Sequence, residues 1–281
     1  MIRQVRRFST VKLVYDLHKP PAASSPKTDA PIIILHGLFG NKVNNRTPAK
    51  ALAKALGTNV YCVDQRNHGQ SPHAKPHTYQ AMSEDLDRFI SDHGLQRPVL
   101  IGHSMGAKTV MTHALAYPDR SRGIVPVENA PISKTIGSEM HTYCMLMKEI
   151  DSMEFSSRKE ASEYLSDTVS SPSLVHFLLT NASMVHGVLK FHIPLDILRD
   201  SLNSVGLFDY SIYDRPLKTY TNPSLFVKGS DSPYITATAL NREIPILFPN
   251  YKIETLQGGH WIIAEQPAAF CKLVEKFVLS L

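Results

Sequence analysis

Short apolar runs that alternate with stretches of helical periodicity restrict this chain of 281 residues to few folds. Because the runs are almost continuously apolar, we expect each to be a strand buried on both faces. Six runs have this character, at residues 32–35, 60–63, 99–101, 124–127, 225–227 and 253–256, and residues 11–17 are a candidate edge strand. The alternation predicts an α/β fold with a mostly parallel central sheet flanked by helices.

The helix after the first buried run carries its own boundary signals. Thr47 is expected to cap it, Pro48 fits its first turn, and Gly57 is expected to end it. Further helices are predicted at residues 79–93, directly after Ser104, and at residues 267–281.

Strand signals disappear between residues 131 and 222, where amphipathic helical patterns such as 140–150 and 194–202 take over. This change predicts a helical lid, about 131–222, inserted into a single domain that spans residues 10–281. Its methionines either pack the lid or form an adaptable apolar wall around a substrate; they are Met140, Met145, Met147 and Met153.

The octet GHSMGAKT, residues 102–109, fits two unrelated catalytic motifs. One is G-x-S-x-G, which exposes a nucleophilic Ser104 between a strand and a helix; the other is a phosphate-binding loop with Lys108. The phosphate loop needs glycine at Ala107 and usually follows the first strand of its sheet, whereas two strands precede this octet. The serine motif is therefore favoured, and Lys108 is expected to be a solvated or salt-bridged residue on the next helix.

A serine catalyst of this type also needs an acid and then a histidine along the chain. His260, in GGHW just after the last strand, is the candidate base. Two acids follow strands between the serine and the histidine, namely Glu128 and Asp231. The residues alone favour Asp231, because its loop is a common location for the acid in this fold.

Two backbone amides must stabilise the charge that develops on the reacting carbonyl oxygen. Met105 supplies the amide that follows the nucleophile. The loop HGLFG, residues 36–40, follows the first buried strand, and Leu38 is the expected second donor.

Four motifs together resemble one subfamily of α/β-hydrolases. They are HGLFG at 36–40, DQRNHGQSPH at 64–73, the octet at 102–109 and GHW at 259–261. That subfamily contains small bacterial esterases, a mitochondrial abhydrolase of animals and the mitochondrial ethanol acetyltransferases of yeasts. The resemblance covers nearly the whole chain after the first residues and implies an α/β-hydrolase fold. Its most distinctive stretch, RNHGQSPH at 66–73, is expected to be a loop at the rim of the site without assignable chemistry.

In that subfamily the acid lies 24 residues after the nucleophile, usually in V-D-x-x-P, which here gives Glu128 (128 − 104). The resemblance thus implies Glu128 as the acid, with Asp231 in reserve. The chain departs from the pattern by carrying Glu for Asp and by having Pro126 in the strand, which removes a ladder donor. Ser232 matches a serine near the site of bacterial relatives and is given a weak supporting role.

The resemblance implies a serine acyl-enzyme catalyst for short acyl esters and thioesters, without metal or cofactor. Its yeast branch implies that acetyl-CoA and ethanol are substrates and ethyl acetate the product, with thioesterase and esterase activity when water accepts the acyl group. A purely hydrolytic carboxylesterase or thioesterase is the alternative. A non-catalytic acyl-ligand-binding protein or a scaffold also stays open, because of the departures at Pro126 and Glu128.

The composition adds an expectation about location. The net charge of +5 falls to +2 (5 − 3) without Arg3, Arg6 and Arg7, so it does not argue for a nucleic-acid partner. An Arg-rich, acid-poor start predicts a mitochondrial transit segment at residues 1–9 and a matrix location, although a frayed basic terminus would look similar. No transmembrane segment is expected, and three scattered cysteines argue against a disulfide framework. The oligomeric state stays open.

Overall fold

The computed structural model describes residues 9–22 and 24–281, so the transit segment predicted at 1–9 lies almost entirely outside the described residues. The strands of the central sheet are β1 Tyr15–His18, β2 Ile32–Leu35, β3 Val60–Val63, β4 Val99–His103, β5 Gly123–Val127, β8 Ser224–Gly229 and β9 Tyr251–Leu256. The sheet has the order β1-β3-β2-β4-β5-β8-β9, and only its edge pair β1–β3 is antiparallel. The six predicted buried strands are present within two residues at either end, and the edge strand expected at residues 11–17 begins four residues later, at Tyr15.

Helices cover both faces of the sheet, as predicted for buried parallel strands. Apolar side chains of α1 and α11 pack on one face, and those of α2, α3 and α9 pack on the other. These helices are α1 Arg46–Leu56, α2 Tyr79–Asp92, α3 Met105–Ala116, α9 Ile244–Leu247 and α11 Pro267–Val278; the short α10 Ile262–Glu265 precedes the last. No helix among residues 9–22 and 24–281 is long and apolar enough to cross a membrane.

The C-terminal boundary of α1 is as predicted, and the N-terminal boundary is not. Gly57 ends the helix with φ +65°, and a Cβ there would lie 2.5 Å from the Ser25 carbonyl oxygen, so a glycine is required. The prediction that Thr47 caps the helix is wrong, because a 3₁₀ turn at Lys42–Asn45 leads directly into the helix, which begins at Arg46. The capping side chain belongs to Asn41, which accepts a hydrogen bond from the Val43 amide.

The segment between β5 and β8 contains five helices and a two-stranded hairpin with a core of its own. The helices are α4 Ser138–Met153, α5 Arg158–Ser166, α6 Pro172–Leu179, α7 Leu195–Asp200 and α8 Leu202–Gly206, and the strands are β6 Ala182–Val185 and β7 Val188–Phe191. The expectation that no strand occurs here is wrong. The available signal was His186-Gly187, whose positive φ angles of 50° and 84° suit a tight hairpin turn.

The rim loop expected at residues 66–73 is exposed only at Gln70, Pro72 and His73, and its first three residues are not part of a rim. Arg66, Asn67 and His68 are each fully buried. The Arg66 guanidinium donates from Nε to Asp85 Oδ2 at 2.6 Å and from Nη2 to Oδ1 at 2.8 Å. Burial raises the pKa of Asp85, and the hydrogen bonds from Arg66 oppose that rise. Residues 64–68 therefore form a buried polar support beneath the sheet's carboxyl edge.

Replacement of Arg66 by leucine tests this support. An Arg66→Leu variant leaves the Asp85 carboxylate buried without its partner, so the free energy of unfolding is expected to fall by about 3–5 kcal/mol. Urea denaturation measures the change. Arg199→Leu is the matched control, because Arg199 is 38% exposed and pairs with exposed aspartates, and its midpoint is expected to stay near that of the wild type. Equal effects of the two variants would contradict a structural role for Arg66.

Candidate active site

The order of the strands opens a crevice at the carboxyl edge of the sheet. The chain passes from β2 to β3 on one side and returns to β4 on the other, so the loops after β2 and β4 diverge. Ligands of open α/β sheets bind at such a point. The loop at residues 36–40 follows β2, and Ser104 follows β4.

Ser104 stands in a strained turn between β4 and α3. Its backbone has φ +54° and ψ −111°, a region that residues with a side chain rarely adopt. The turn is held by hydrogen bonds from the Ser104 amide to the Val127 oxygen at 2.8 Å and from Asn129 Nδ2 to the Ser104 oxygen at 3.2 Å. The serine is therefore fixed at the edge of the cavity rather than carried by a mobile loop.

The two glycines of the G-x-S-x-G motif are required by contact. A Cβ on Gly102 would lie 2.1 Å from the Gly106 oxygen, and one on Gly106 would lie 2.6 Å from the Leu35 oxygen. A side chain on Gly102 would push α3 away from β4, and one on Gly106 would push α3 away from the end of β2. The motif therefore encodes the close approach of the first helical turn to two strands.

His260 and Glu128 meet beside this turn. Nδ1 of His260 lies 3.2 Å from Oε2 of Glu128, a fully buried carboxylate whose Oε1 accepts the Gly229 amide at 2.5 Å. Burial by itself raises the pKa of Glu128, but hydrogen bonds from His260, Gly229 and Ser232 outweigh it and hold the pKa below its usual range. Glu128 is thus an ionised acceptor aimed at the imidazole.

Asp231, the acid that the residues alone favoured, lies on the surface instead. Its carboxylate accepts hydrogen bonds from Ser230 Oγ at 2.9 Å and Gln257 Nε2 at 3.4 Å. The structure thus brings Glu128, and not Asp231, to His260. The sequence signal that distinguished them was the spacing from Ser104.

The His260 ring is also held by its neighbours. Tyr234 stacks on it with ring centroids 4.1 Å apart and planes 24° apart. His103, the residue before Ser104, donates from Nε2 to the His260 carbonyl at 2.7 Å. Burial, reinforced by the nearby His260 ring, lowers the pKa of His103 to about 3, so His103 stays neutral.

The loop after β2 is supported from below by the buried 64–73 motif. His68 Nε2 accepts the Phe39 amide at 3.1 Å, and His36 Nε2 accepts the Gln65 amide at 3.0 Å. From the lid side, Asn181 Nδ2 donates to the Phe39 oxygen at 2.7 Å. His68, His36 and Asn181 are therefore positioning residues that the sequence analysis missed, because their contacts join segments far apart in the chain.

Leu38 and Met105, the expected amide donors, both line the same cavity as Ser104 and His260. Met105 is the first residue of α3, so its amide has no acceptor within the helix and lies at the positive end of the helix dipole. An oxygen that develops negative charge beside Ser104 would find this end of the helix favourable.

The cavity has a volume of about 330 Å³, at the lower end of the roughly 300–1,000 Å³ of ligand pockets. Its lining is mostly apolar and includes Leu38, Phe39, Met105, Ile136, Met140, Tyr143, Leu174, Phe177, Val205 and Trp261. Among the lid methionines Met140 lines the cavity, Met147 is in the lid core, and Met145 and Met153 are more than half exposed. Most of that cluster therefore does not form a substrate wall.

Lys108 is neither solvated nor salt-bridged, which corrects the expectation from sequence. It is 3% exposed, and its Nζ donates to the Gly206 oxygen at 2.8 Å and the Leu207 oxygen at 2.9 Å. Burial lowers the pKa of Lys108 to about 8, and Asp209 opposes this while Lys134 adds to it. The sequence could not show this, because the lid segment that covers Lys108 is about a hundred residues further along the chain.

Comparisons with known proteins agree with this fold. A family described as having the alpha/beta hydrolase fold matches residues 30–267. A probable alcohol acetyltransferase of Saccharomyces cerevisiae is 36% identical over 95% of this chain and 83% of its own length. The sn-1-specific diacylglycerol lipase ABHD11 of Mus musculus is 37% identical over 88% of this chain and 80% of its own. Among solved structures, a marine microorganism esterase is 33% identical and superimposes with a TM-score of 0.85, covering 95% of this chain and all of that one.

The buried histidines predict how stability depends on pH. Burial lowers the pKa of His77 and His103 to about 3, below the value of about 6.5 of an unfolded chain. Below pH 6.5 the unfolded chain therefore binds more protons than the folded chain. As the pH falls to 5, each of these two histidines should lower the free energy of unfolding by about 1.4 kcal/mol per pH unit. His77→Asn keeps an acceptor for Asn67 and should reduce this slope by that amount in urea titrations. An unchanged slope in His77→Asn would refute the assignment.

Proposed function

This chain belongs to the α/β-hydrolase family as an enzyme of the esterase and acyltransferase kind, and we propose that it works through an acyl-enzyme formed on Ser104. One observation carries the proposal. A serine in a strained elbow shares an apolar cavity with His260, whose Nδ1 lies 3.2 Å from the buried, ionised Glu128. Nucleophile, base and orienting acid are the parts that acyl transfer needs.

Each group has a separate task in this mechanism. His260 donates a hydrogen bond from its Nδ1–H group to Glu128, which stays ionised. Nε2 of His260 therefore keeps its lone pair and can take the proton of Ser104. Ser104 Oγ then attacks the acyl carbonyl carbon, and the Leu38 and Met105 amides stabilise the oxyanion. His260 passes the proton to the leaving alcohol or thiol, and the acyl group remains as an ester on Ser104.

The acceptor of the acyl group in the second half of the reaction determines whether the enzyme is an acyltransferase or a hydrolase. In our proposal acetyl-CoA is the donor and ethanol the acceptor, so that ethanol attacks the acetyl-Ser104 ester, ethyl acetate leaves and Ser104 regains its proton through His260. Thioesterase and esterase activity result when water takes the place of ethanol. Two points support the alcohol as acceptor: the similarity to an alcohol acetyltransferase, and a mostly apolar cavity that disfavours water.

A purely hydrolytic enzyme is the second candidate. It is supported by the 33% identity to a solved esterase and by the similarity to a diacylglycerol lipase. The chemistry up to the acyl-enzyme is the same in both candidates. Only the partition of that intermediate between water and alcohol differs, and it depends on the shape of the lid and cavity.

The acid and the acceptor are tested together. The purified enzyme is supplied with acetyl-CoA, with and without ethanol, and free CoA and ethyl acetate are measured. Ser104→Ala should abolish both products, and Glu128→Gln should lower both rates on the order of 10⁴-fold, because the imidazole loses its orienting charge. Asp231→Asn is the matched control and should keep full activity.

The other outcomes identify the alternatives. CoA release without ester would show a hydrolase. Loss of activity in Asp231→Asn but not in Glu128→Gln would make Asp231 the acid. No turnover, together with a failure of a fluorophosphonate probe to label Ser104, would favour a non-catalytic ligand-binding protein.

We also propose a location in the mitochondrial matrix, supported by the Arg-rich, acid-free residues 1–9. A fusion of the chain to a fluorescent protein should enter mitochondria, and the same fusion without residues 1–9 should not. Arg3, Arg6 and Arg7 replaced together by glutamine should behave like the truncation. Equal distribution of all three fusions would refute the proposal.

A further inference from the structure

The last turn of lid helix α8 is held by side chains that come from outside the lid. The final carbonyls of a helix have no donors within it. Here Tyr79 Oη donates to the Val205 oxygen at 2.7 Å, and Lys108 Nζ donates to the oxygens of Gly206 and Leu207 at 2.8 and 2.9 Å. Three successive carbonyls are thus capped by two residues of the central fold.

The same point joins the two ends of the lid. The Lys134 amide, at the start of the lid, donates to the Gly206 oxygen at 2.8 Å. A Cβ on Gly206 would lie 2.5 Å from the Lys134 oxygen, so the two segments are in direct backbone contact. The Lys108 ammonium reaches this junction from α3 and binds it to the catalytic domain.

Val205, the residue before this junction, lines the cavity that contains Ser104. It packs with Tyr79, Met82 and Met105, and partly buried Leu38 and Ile136 lie against that cluster. In the proposed mechanism the amides of Leu38 and Met105 hold the oxygen of the acyl carbonyl. The cluster around Val205 therefore lies beside the carbonyl of an acyl group on Ser104, and Val205 is a wall of the acyl site.

Packing alone does not account for an ammonium group at this position. A buried ammonium is unfavourable unless hydrogen bonds replace its lost water. An unbranched apolar side chain such as methionine would fill the space of the lysine stem without that cost. What the lysine adds is the pair of bonds to the Gly206 and Leu207 oxygens.

We propose that Lys108 determines the length of acyl chain that the enzyme accepts, by holding the turn at Gly206 and Leu207 and so fixing Val205, which lines the cavity, as a wall of the acyl site. The inference rests on the proposed acyl transfer at Ser104. When the bonds of Lys108 are lost, only the bond from Tyr79 still holds this turn to the central fold, Val205 can move outward and the acyl site lengthens.

The test compares p-nitrophenyl acetate, butyrate, octanoate and dodecanoate as substrates of the full chain. In Lys108→Met the ratio of kcat/KM for octanoate to that for acetate should rise about tenfold or more, since a single methylene in an apolar pocket already changes kcat/KM by roughly 10–200-fold. Tyr79→Phe removes the neighbouring cap and should change the ratio in the same direction by less. Lys190→Met is the matched control, because it removes an ammonium that donates to another lid carbonyl, that of Asp151, and Lys190 does not line the cavity; its ratio should equal that of the wild type.

The outcomes separate the two proposals. A wild type that hydrolyses none of the esters would overturn the acyl transfer and the inference with it. An active wild type with a Lys108→Met variant whose ratio is unchanged, or whose kcat/KM falls equally for all chain lengths, would overturn the inference alone. If Lys108→Met does not fold, an unchanged ratio in Tyr79→Phe would overturn it as well.

Discussion

The contact at Gly106 determines where every other part of the site lies. Because Gly106 has no side chain, the first turn of α3 can approach the end of β2 closely. A Cβ on Gly106 would lie 2.6 Å from the Leu35 oxygen and 2.7 Å from the His36 oxygen. That approach brings the amide at the start of α3 next to the loop that follows β2. Ser104 must then turn through a positive φ to connect β4 with a helix so near. Strain at the nucleophile is thus a consequence of packing between a helix and a strand.

The buried strands could be predicted almost to the residue, because burial on both faces leaves a continuous apolar run, as at residues 32–35 and 60–63. Ser104, the amide loop and His260 could be predicted because each follows such a run. What could not be predicted depends on distant contacts. His68 accepts a hydrogen bond from the loop after β2, and Lys108 donates hydrogen bonds to residues 206 and 207. The local periodicity of the sequence does not encode these long-range contacts. The hairpin of the lid was missed because its strands are short and largely exposed.

Both departures from the family pattern are accommodated in β5. The amide of Ile124 donates to the oxygen of Pro223, the residue before β8, at 3.1 Å, and the amide of Glu128 donates to the Val227 oxygen of β8 at 3.0 Å. Pro126 lies between them and removes the donor that would have made the middle bond. Pairing between the two strands accordingly occurs at Ile124 and Val127 only. Glu128 itself adopts φ +59°, and its extra methylene still lets the carboxylate reach both the Gly229 amide and the imidazole.

The bond between His103 and the carbonyl of His260 joins the loop of the base to the last residue of a central strand. A bulky group that pushed the imidazole outward would have to stretch this bond and thereby pull on β4, which is paired on both sides. The resistance that a substrate meets at this wall is therefore the stiffness of the sheet rather than that of a surface loop. In this enzyme, widening the site at His260 means deforming the central sheet, whereas the lid has a core of its own and can move without deforming that sheet.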